Sequence, residues 1–259
     1  MPRSRAKSKS PPDFEAQGFL RSASLRMERV PSFDRYPFSI PAVRRMGELA
    51  LHPKVTFFVG DNGCGKSTLI EAIAIAAGFN PEGGSKSFRF SARPSESSLE
   101  DAMQLMRGIR REIDGFFLRA ESFFNLATMV DKLQEERGGL IDSYGGRSLH
   151  EQSHGESFLA LVMNRFRPNS LYILDEPEAA LSPTKQLSLL GLIDRHVQRG
   201  GSQFLIATHS PILMAYPDAL LYHLSEEGIA PLPYEETEHF QVTSAFMADR
   251  ARFFRRLFE

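Results

Sequence analysis

The nine residues GDNGCGKST, 60–68, constrain this chain more than any other stretch. Gly60 to Ser67 fit G-x-x-x-x-G-K-[ST], between an apolar run, KVTFFV, and a helix-patterned run, LIEAIAIAAG. A strand before and a helix after is the context in which this pattern closes around phosphate. The glycines let backbone N–H groups turn inward, and the start of the helix adds about half a unit of positive charge. Gly60, Asn62, Gly63, Gly65 and Thr68 are expected to line the cradle. Lys66 is expected to reach the β- and γ-phosphates, and the Ser67 hydroxyl to ligate Mg²⁺. The pattern therefore implies nucleotide binding.

The remaining chain supplies the rest of an α/β core. KVTFFVG (54–60) is a continuous apolar run, as expected of a buried parallel strand. The following helix puts Leu69, Ile70, Ile73, Ala74 and Ala77 on one face, with Gly78 as its stop. SLYILDEP and SQFLIATHSP read as two more apolar strands flanking a helix, SPTKQLSLLGLIDRHVQRG. ALLYHL and GIAPLPY are candidate edge strands, and GFLRSASLRMERV (18–30) alternates well enough for another. LEDAMQLMRGIRREI is predicted helical, GFFLRAESFFNLATMVDKLQEERGG a strand running into a helix, and SHGESFLALVMNRF (153–166) a helix. TSAFMADRARFFRRLF, with Arg250, Arg252, Arg255 and Arg256, is expected to be one amphipathic helix capping the fold. The predicted organisation is a single domain over 15–259. Its core comprises 15–80 and 167–259, and a largely helical subdomain is inserted at about 81–166.

Composition narrows the setting. A hydrophobic share of 42% is ample for one core, and a formal net charge of −1 gives no global bias toward nucleic acid or anionic membrane. No apolar run approaches the roughly 18 residues of a membrane-spanning helix. The single cysteine, Cys64, excludes an internal disulfide and fits a reducing, cytoplasmic setting. It stands inside the phosphate loop, where a small residue is wanted. MPRSRAKSKSPP opens the chain with basic and small polar residues, and 1–14 is expected to be a disordered tail.

Two further segments carry chemistry. In LYILDEPEAAL, Asp175 ends an apolar strand, where a carboxylate can hold Mg²⁺ directly or through water. Glu176 follows, placed to polarise an attacking water as general base. SQFLIATHSP ends its strand at His209, 33 residues beyond Glu176 (209 − 176), where it can meet the γ-phosphate and the same water. His52, His150, His196, His223 and His239 show no metal-ligand spacing with one another and receive no role.

These three signals, in this order, resemble the ABC-type ATPases. That superfamily also carries a serine–glycine signature opening a helix shortly before the Walker B carboxylate. SHGES (153–157) begins 22 residues before Asp175 (175 − 153) and resembles it, with His154 replacing the first glycine. The resemblance implies a soluble ATPase using ATP and Mg²⁺ and forming an ATP-dependent head-to-tail homodimer. In that dimer Ser153 and Gly155 of one subunit close over the γ-phosphate held by the other. Glu121 occupies the segment where the family carries its Q-loop glutamine and is a candidate Mg²⁺ ligand; Ser182 stands where the D-loop often has aspartate. Tyr36, Phe33 and Phe38 are all candidates for the aromatic that stacks on adenine. SHGE and THSP look most like the SMC, RecF and OLD-type branch. Only 87 residues separate Lys66 from Ser153 (153 − 66), too few for a coiled-coil arm, so the match is to the compact, stand-alone members. Two alternatives remain open. One is the ATP-binding subunit of a membrane transporter. The other is an ATP-controlled nucleic-acid clamp in repair or phage defence, for which Arg107, Arg110 and Arg111 would form part of a basic stripe.

Overall fold

Apolar strands in this chain come in two kinds, and each finds a different sheet. Runs apolar throughout become interior parallel strands, buried on both faces; alternating runs form a smaller antiparallel sheet. The computed structural model describes residues 18–86, 99–121 and 153–258, together with Phe123 and Thr128. In chain order the strands are β1 (Leu20–Leu25), β2 (Leu49–Ala50), β3 (Val55–Gly60), β4 (Gly84–Ser85), β5 (Met103–Arg107), β6 (Asp114–Arg119), β7 (Ser170–Asp175), β8 (Gln203–Ala207), β9 (Leu220–Ser225) and β10 (Gly228–Pro231). The helices are α1 (Pro41–Arg44), α2 (Lys66–Ala76), α3 (Leu99–Ala102), α4 (His154–Arg165), α5 (Pro183–Gln198), α6 (Pro211–Met214), α7 (Glu238–Ala248) and α8 (Arg250–Phe258).

The central sheet runs β10-β9-β3-β8-β7-β6-β4, and the small one β2-β1-β5. Pairing is parallel from β9 through β6; β10 and β4 close the two edges antiparallel. Every residue of β3, β7 and β8 is buried. Side chains of these strands alternate between two cores. Phe57, Tyr172, Leu174, Phe204 and Ile206 face α4 and α5. Phe58, Leu171, Ile173, Leu205 and Ala207 face α2 and the antiparallel sheet. One buried amide joins the sheets. Gln203 accepts from Leu20 N–H (2.9 Å) and donates to the carbonyls of Leu20 (2.8 Å) and His52 (2.9 Å).

Three expectations need correction. Residues 103–107 are a strand, not the middle of a helix: α3 is a single turn, and β5 pairs along β1 from Leu25↔Met103 to Leu20↔Arg107. Cross-strand pairing there overrides a helix-compatible composition. The inserted helical subdomain does not take in all of 81–166, because β6 pairs directly with β7 in the central sheet and β4 pairs with β6. The closing segment breaks at Asp249 (φ −147°, ψ 77°) into α7 and α8, neither of which buries a residue, so it does not cap the core. The basic tail and residues 129–152 lie outside the described residues.

Candidate functional site

Parallel strands ending in register set the site. Asp175 of β7 pairs with Ala207 of β8, so the residues that follow each strand emerge side by side at one edge of the sheet. The loop after β3 joins them, since Thr208 N–H donates to Phe58 O at 3.2 Å.

The phosphate loop turns through Gly60, Gly63 and Gly65, all at positive φ. Gly65 has φ 99°, and a Cβ there would meet Ile40 Cγ2 at 2.7 Å. A side chain at 65 is excluded by backbone conformation and by space alike. Lys66, 3% exposed, donates from Nζ to Gly60 O (3.0 Å) and Asp61 O (2.8 Å). Its ammonium thus sits in the mouth of the loop, held by carbonyls that a phosphate oxygen would replace. Ser67 Oγ donates to Asp175 Oδ1 at 3.0 Å, which brings the two expected Mg²⁺ ligands together. A hydroxyl and a carboxylate are hard oxygen donors of the type Mg²⁺ takes, the remaining positions going to water and phosphate. Among the described residues no group of three or more His, Cys, Asp or Glu forms a metal cage.

Asp175 is pushed up to about 6 by burial, against the opposing pull of Arg119 and the Ser67 hydrogen bond. Arg119, at the end of β6, went unassigned from sequence. Its guanidinium lies 3.1 Å from Glu71 Oε2, 3.7 Å from Asp175 Oδ2 and 3.7 Å from Glu121 Oε2. Glu121 itself is exposed and reaches the site through that arginine. Burial also raises Glu71, on α2. Arg119 therefore neutralises three carboxylates where a divalent cation would do the same.

Glu176 occupies the left-handed region at φ 50°, ψ 50°. Its N–H donates to Ala207 O at 2.9 Å, and its Oε1 lies 3.5 Å from His209 Nε2. Glu178, also missed from sequence, accepts from the His209 backbone N–H and thereby fixes the loop that carries the histidine. On the far side of the ring, His209 Nδ1 lies 3.3 Å from His239 Nε2. His239 had no sequence signal: it stands 30 residues from His209 (239 − 209), and only the docking of α7 brings it in.

Ser153 and Gly155 make their contacts around the starts of α4 and α5. Ser153 caps α4, its N–H and hydroxyl both donating to Glu156 (3.1 and 2.6 Å), with Lys185 Nζ 3.4 Å from its Oγ. Gly155 packs so closely that a Cβ would meet Ala180 O at 2.8 Å and Lys185 Cδ at 2.9 Å. Ser182, at the D-loop position, caps α5 by accepting from Lys185 N–H.

Of the three candidate aromatics, Phe38 is buried in the core and Phe33 packs against it. Tyr36 is exposed, with its hydroxyl 3.3 Å from Thr68 Oγ1 beside the phosphate loop. Two of the three arginines of the expected stripe have partners within the fold. Arg107 pairs with Glu112 and donates to Ala77 O, and Arg110 donates to Asn169. A cleft of about 570 Å³ lies against the outer flank of the loop, lined by Asp61, Asn62, Gly63, His223 and Glu238 among others. Lys66 and Ser67 do not line it, and its carboxylates make it a poor seat for phosphate.

Two family models match the chain in succession: "AAA domain" over 24–151, and "AAA domain, putative AbiEii toxin, Type IV TA system" over 137–215. The cytochrome c biogenesis ATP-binding export protein CcmA of Rhizobium meliloti (strain 1021) is 27% identical over 175 residues, covering 59% of this chain and 76% of that protein. The SMC head domain from Thermotoga maritima aligns with TM-score 0.46 at 16% identity, over 83% of this chain and 99% of that one. CbiO1 from Clostridium perfringens, part of the ABC transporter complex cbiONQ, aligns with TM-score 0.43 at 17% identity, over 82% and 90%. No helix among the described residues is long and apolar enough to cross a membrane.

Proposed function

We propose that this chain is an ABC-type P-loop ATPase domain and a stand-alone ATP-driven dimerisation switch of the SMC/RecF-like branch, a reading supported by the family and relative matches. The observation that carries the reading is a division of labour within one chain. Lys66, Ser67, Asp175, Glu176 and His209 converge at one sheet edge, while Ser153 and Gly155 pack against Ala180 and Lys185. A γ-phosphate held at Lys66 lacks the signature donors until a second copy brings them.

In the closed dimer Lys66 turns from its loop carbonyls to the β- and γ-phosphates, and Tyr36 flanks the base. Ser67 and Asp175 would hold Mg²⁺, which would supply neutralisation of phosphate charge. Glu176 orients a water for in-line attack on the γ-phosphorus, while His209 donates from Nε2 to a γ-phosphate oxygen. Ser153 of the other copy donates its hydroxyl to the same phosphate, and the N-terminus of α4 adds its amides and dipole. Departure of that phosphate removes the contacts spanning the interface, so the dimer reopens.

The match to CcmA favours a second reading, the ATP-binding subunit of a transporter. The nucleic-acid clamp is the third reading; of its arginines, Arg107 pairs with Glu112 and Arg110 with Asn169, while Arg110 and Arg111 stay exposed.

The direct test is calorimetric titration with MgATP alongside phosphate-release kinetics. Wild type is expected to bind and turn over ATP. Lys66→Ala is expected to bind at least about tenfold more weakly, in line with loss of charge-assisted hydrogen bonds worth roughly 1.5–3 kcal/mol. Equal binding by both proteins would overturn the assignment.

A further inference from the structure

His209 Nε2 is buried without a hydrogen-bond partner, 3.5 Å from Glu176 Oε1. A carboxylate oxygen only accepts, so a bare Nε2 there would set lone pair against lone pair. The proton therefore belongs on Nε2. A neutral imidazole carries one N–H, which leaves Nδ1 as an acceptor in need of a donor. That donor is at hand, because His239 Nε2 stands 3.3 Å from His209 Nδ1, with the ring centroids 5.5 Å apart. Burial and the nearby Lys66 ammonium lower His209, and burial lowers His239, so both shifts favour the neutral ring.

His239 is firmly placed. It lies in the first turn of α7, whose cap, Thr237, is 1% exposed and accepts from Phe240 N–H at 3.3 Å. The Tyr234 ring packs against Phe240, tilted by 53° with centroids 4.8 Å apart, and its hydroxyl donates to Pro211 O at 2.9 Å. Pro211 lies two residues beyond His209, so the base of α7 is fastened to the loop it serves.

We propose that His239 is a positioning residue for ATP hydrolysis: by donating from Nε2 to His209 Nδ1, it holds His209 in the tautomer that presents Nε2–H to the γ-phosphate. Second-sphere hydrogen bonds commonly fix a functional histidine in this way. The proposal rests on the role given to His209 above, but the tautomer can be read without nucleotide.

The experiment uses the full chain with ¹⁵N-labelled histidine and long-range ¹H–¹⁵N spectra at pH 8, His209 being identified by its loss in His209→Gln. Wild type and His239→Gln, which keeps an amide N–H at similar reach, are expected to show His209 protonated on Nε2. His239→Phe is expected to shift it to a mixture with the Nδ1–H form. Turnover in His239→Phe is expected to fall about tenfold with KM for ATP changed by less than about threefold, and the Gln variant to recover most of the loss. Nδ1–H in wild type, or a tautomer unmoved in His239→Phe, overturns the proposal. A shifted tautomer with undiminished turnover overturns the positioning role while leaving the hydrogen bond. Failure of wild type to bind ATP, with the tautomer as expected, counts against the functional reading instead.

Discussion

Glu176 holds a backbone conformation that costs a non-glycine residue of order 1–3 kcal/mol. The cost is tolerated because its N–H is fixed on Ala207 O and its carbonyl accepts from Ala179 N–H at 3.1 Å. That left-handed turn is what aims the carboxylate at His209 instead of continuing along β7. Removing the charge while keeping the shape separates chemistry from binding. Glu176→Gln is expected to lower kcat by about 10²–10⁴-fold, the range for a lost general base, with ATP affinity within about threefold of wild type. Rapid-quench kinetics and equilibrium binding check this, and a fall in affinity that parallels kcat would mean that Glu176 holds ATP instead of activating water.

At the scale of elements, an ion pair adds to the apolar packing that holds the signature helix on the central sheet. Arg165, at the end of α4, donates to Asp114 at the start of β6. Burial alone would raise the Asp114 carboxyl, but the hydrogen bonds from Arg165 and from Gly115 N–H outweigh it and hold it below the usual range. A carboxyl lowered in the fold stabilises above its unfolded value, and the contribution is lost as pH falls through the folded value. Asp114→Asn is therefore expected to cost about 1 kcal/mol or less near pH 7 and to flatten the acid limb of stability below about pH 4, as followed by urea unfolding across pH. An unchanged acid limb would place the acid sensitivity elsewhere. Gln203 is the other tie between elements. Gln203→Leu leaves Leu20 N–H and two carbonyls unpaired in the interior and is expected to cost about 1–3 kcal/mol. The strands these residues serve were legible in the sequence, because KVTFFVG, SLYILD and SQFLIA are apolar throughout and only a buried parallel strand accommodates that. β5 was not: MQLMR suits a helix as well as a strand, and the choice fell to its pairing with β1.

For the whole molecule, the residues that converge at the sheet edge were legible where they sit at a strand end. Lys66, Asp175, Glu176 and His209 each follow an apolar run whose register places them together. Arg119 and His239 were not readable, since one is a strand-terminal arginine of ordinary appearance and the other arrives on a helix distant in sequence. The chain's last helix contributes least to the fold. α8 buries no residue, and Leu257 and Phe258 are 70% and 80% exposed. Truncation after Asp249 is expected to shift Tm by less than about 2 °C, a change of well under 1 kcal/mol in a domain of this size. A larger loss on thermal unfolding would show that α8 packs on the core after all. Closure of two copies is the central claim, and light scattering on Glu176→Gln, with and without MgATP, tests it most directly. The account predicts a monomer that becomes a dimer when MgATP is added, with Ser153→Arg in the same background binding ATP but remaining monomeric. An ATP-bound Glu176→Gln protein that stays monomeric at every concentration would contradict it.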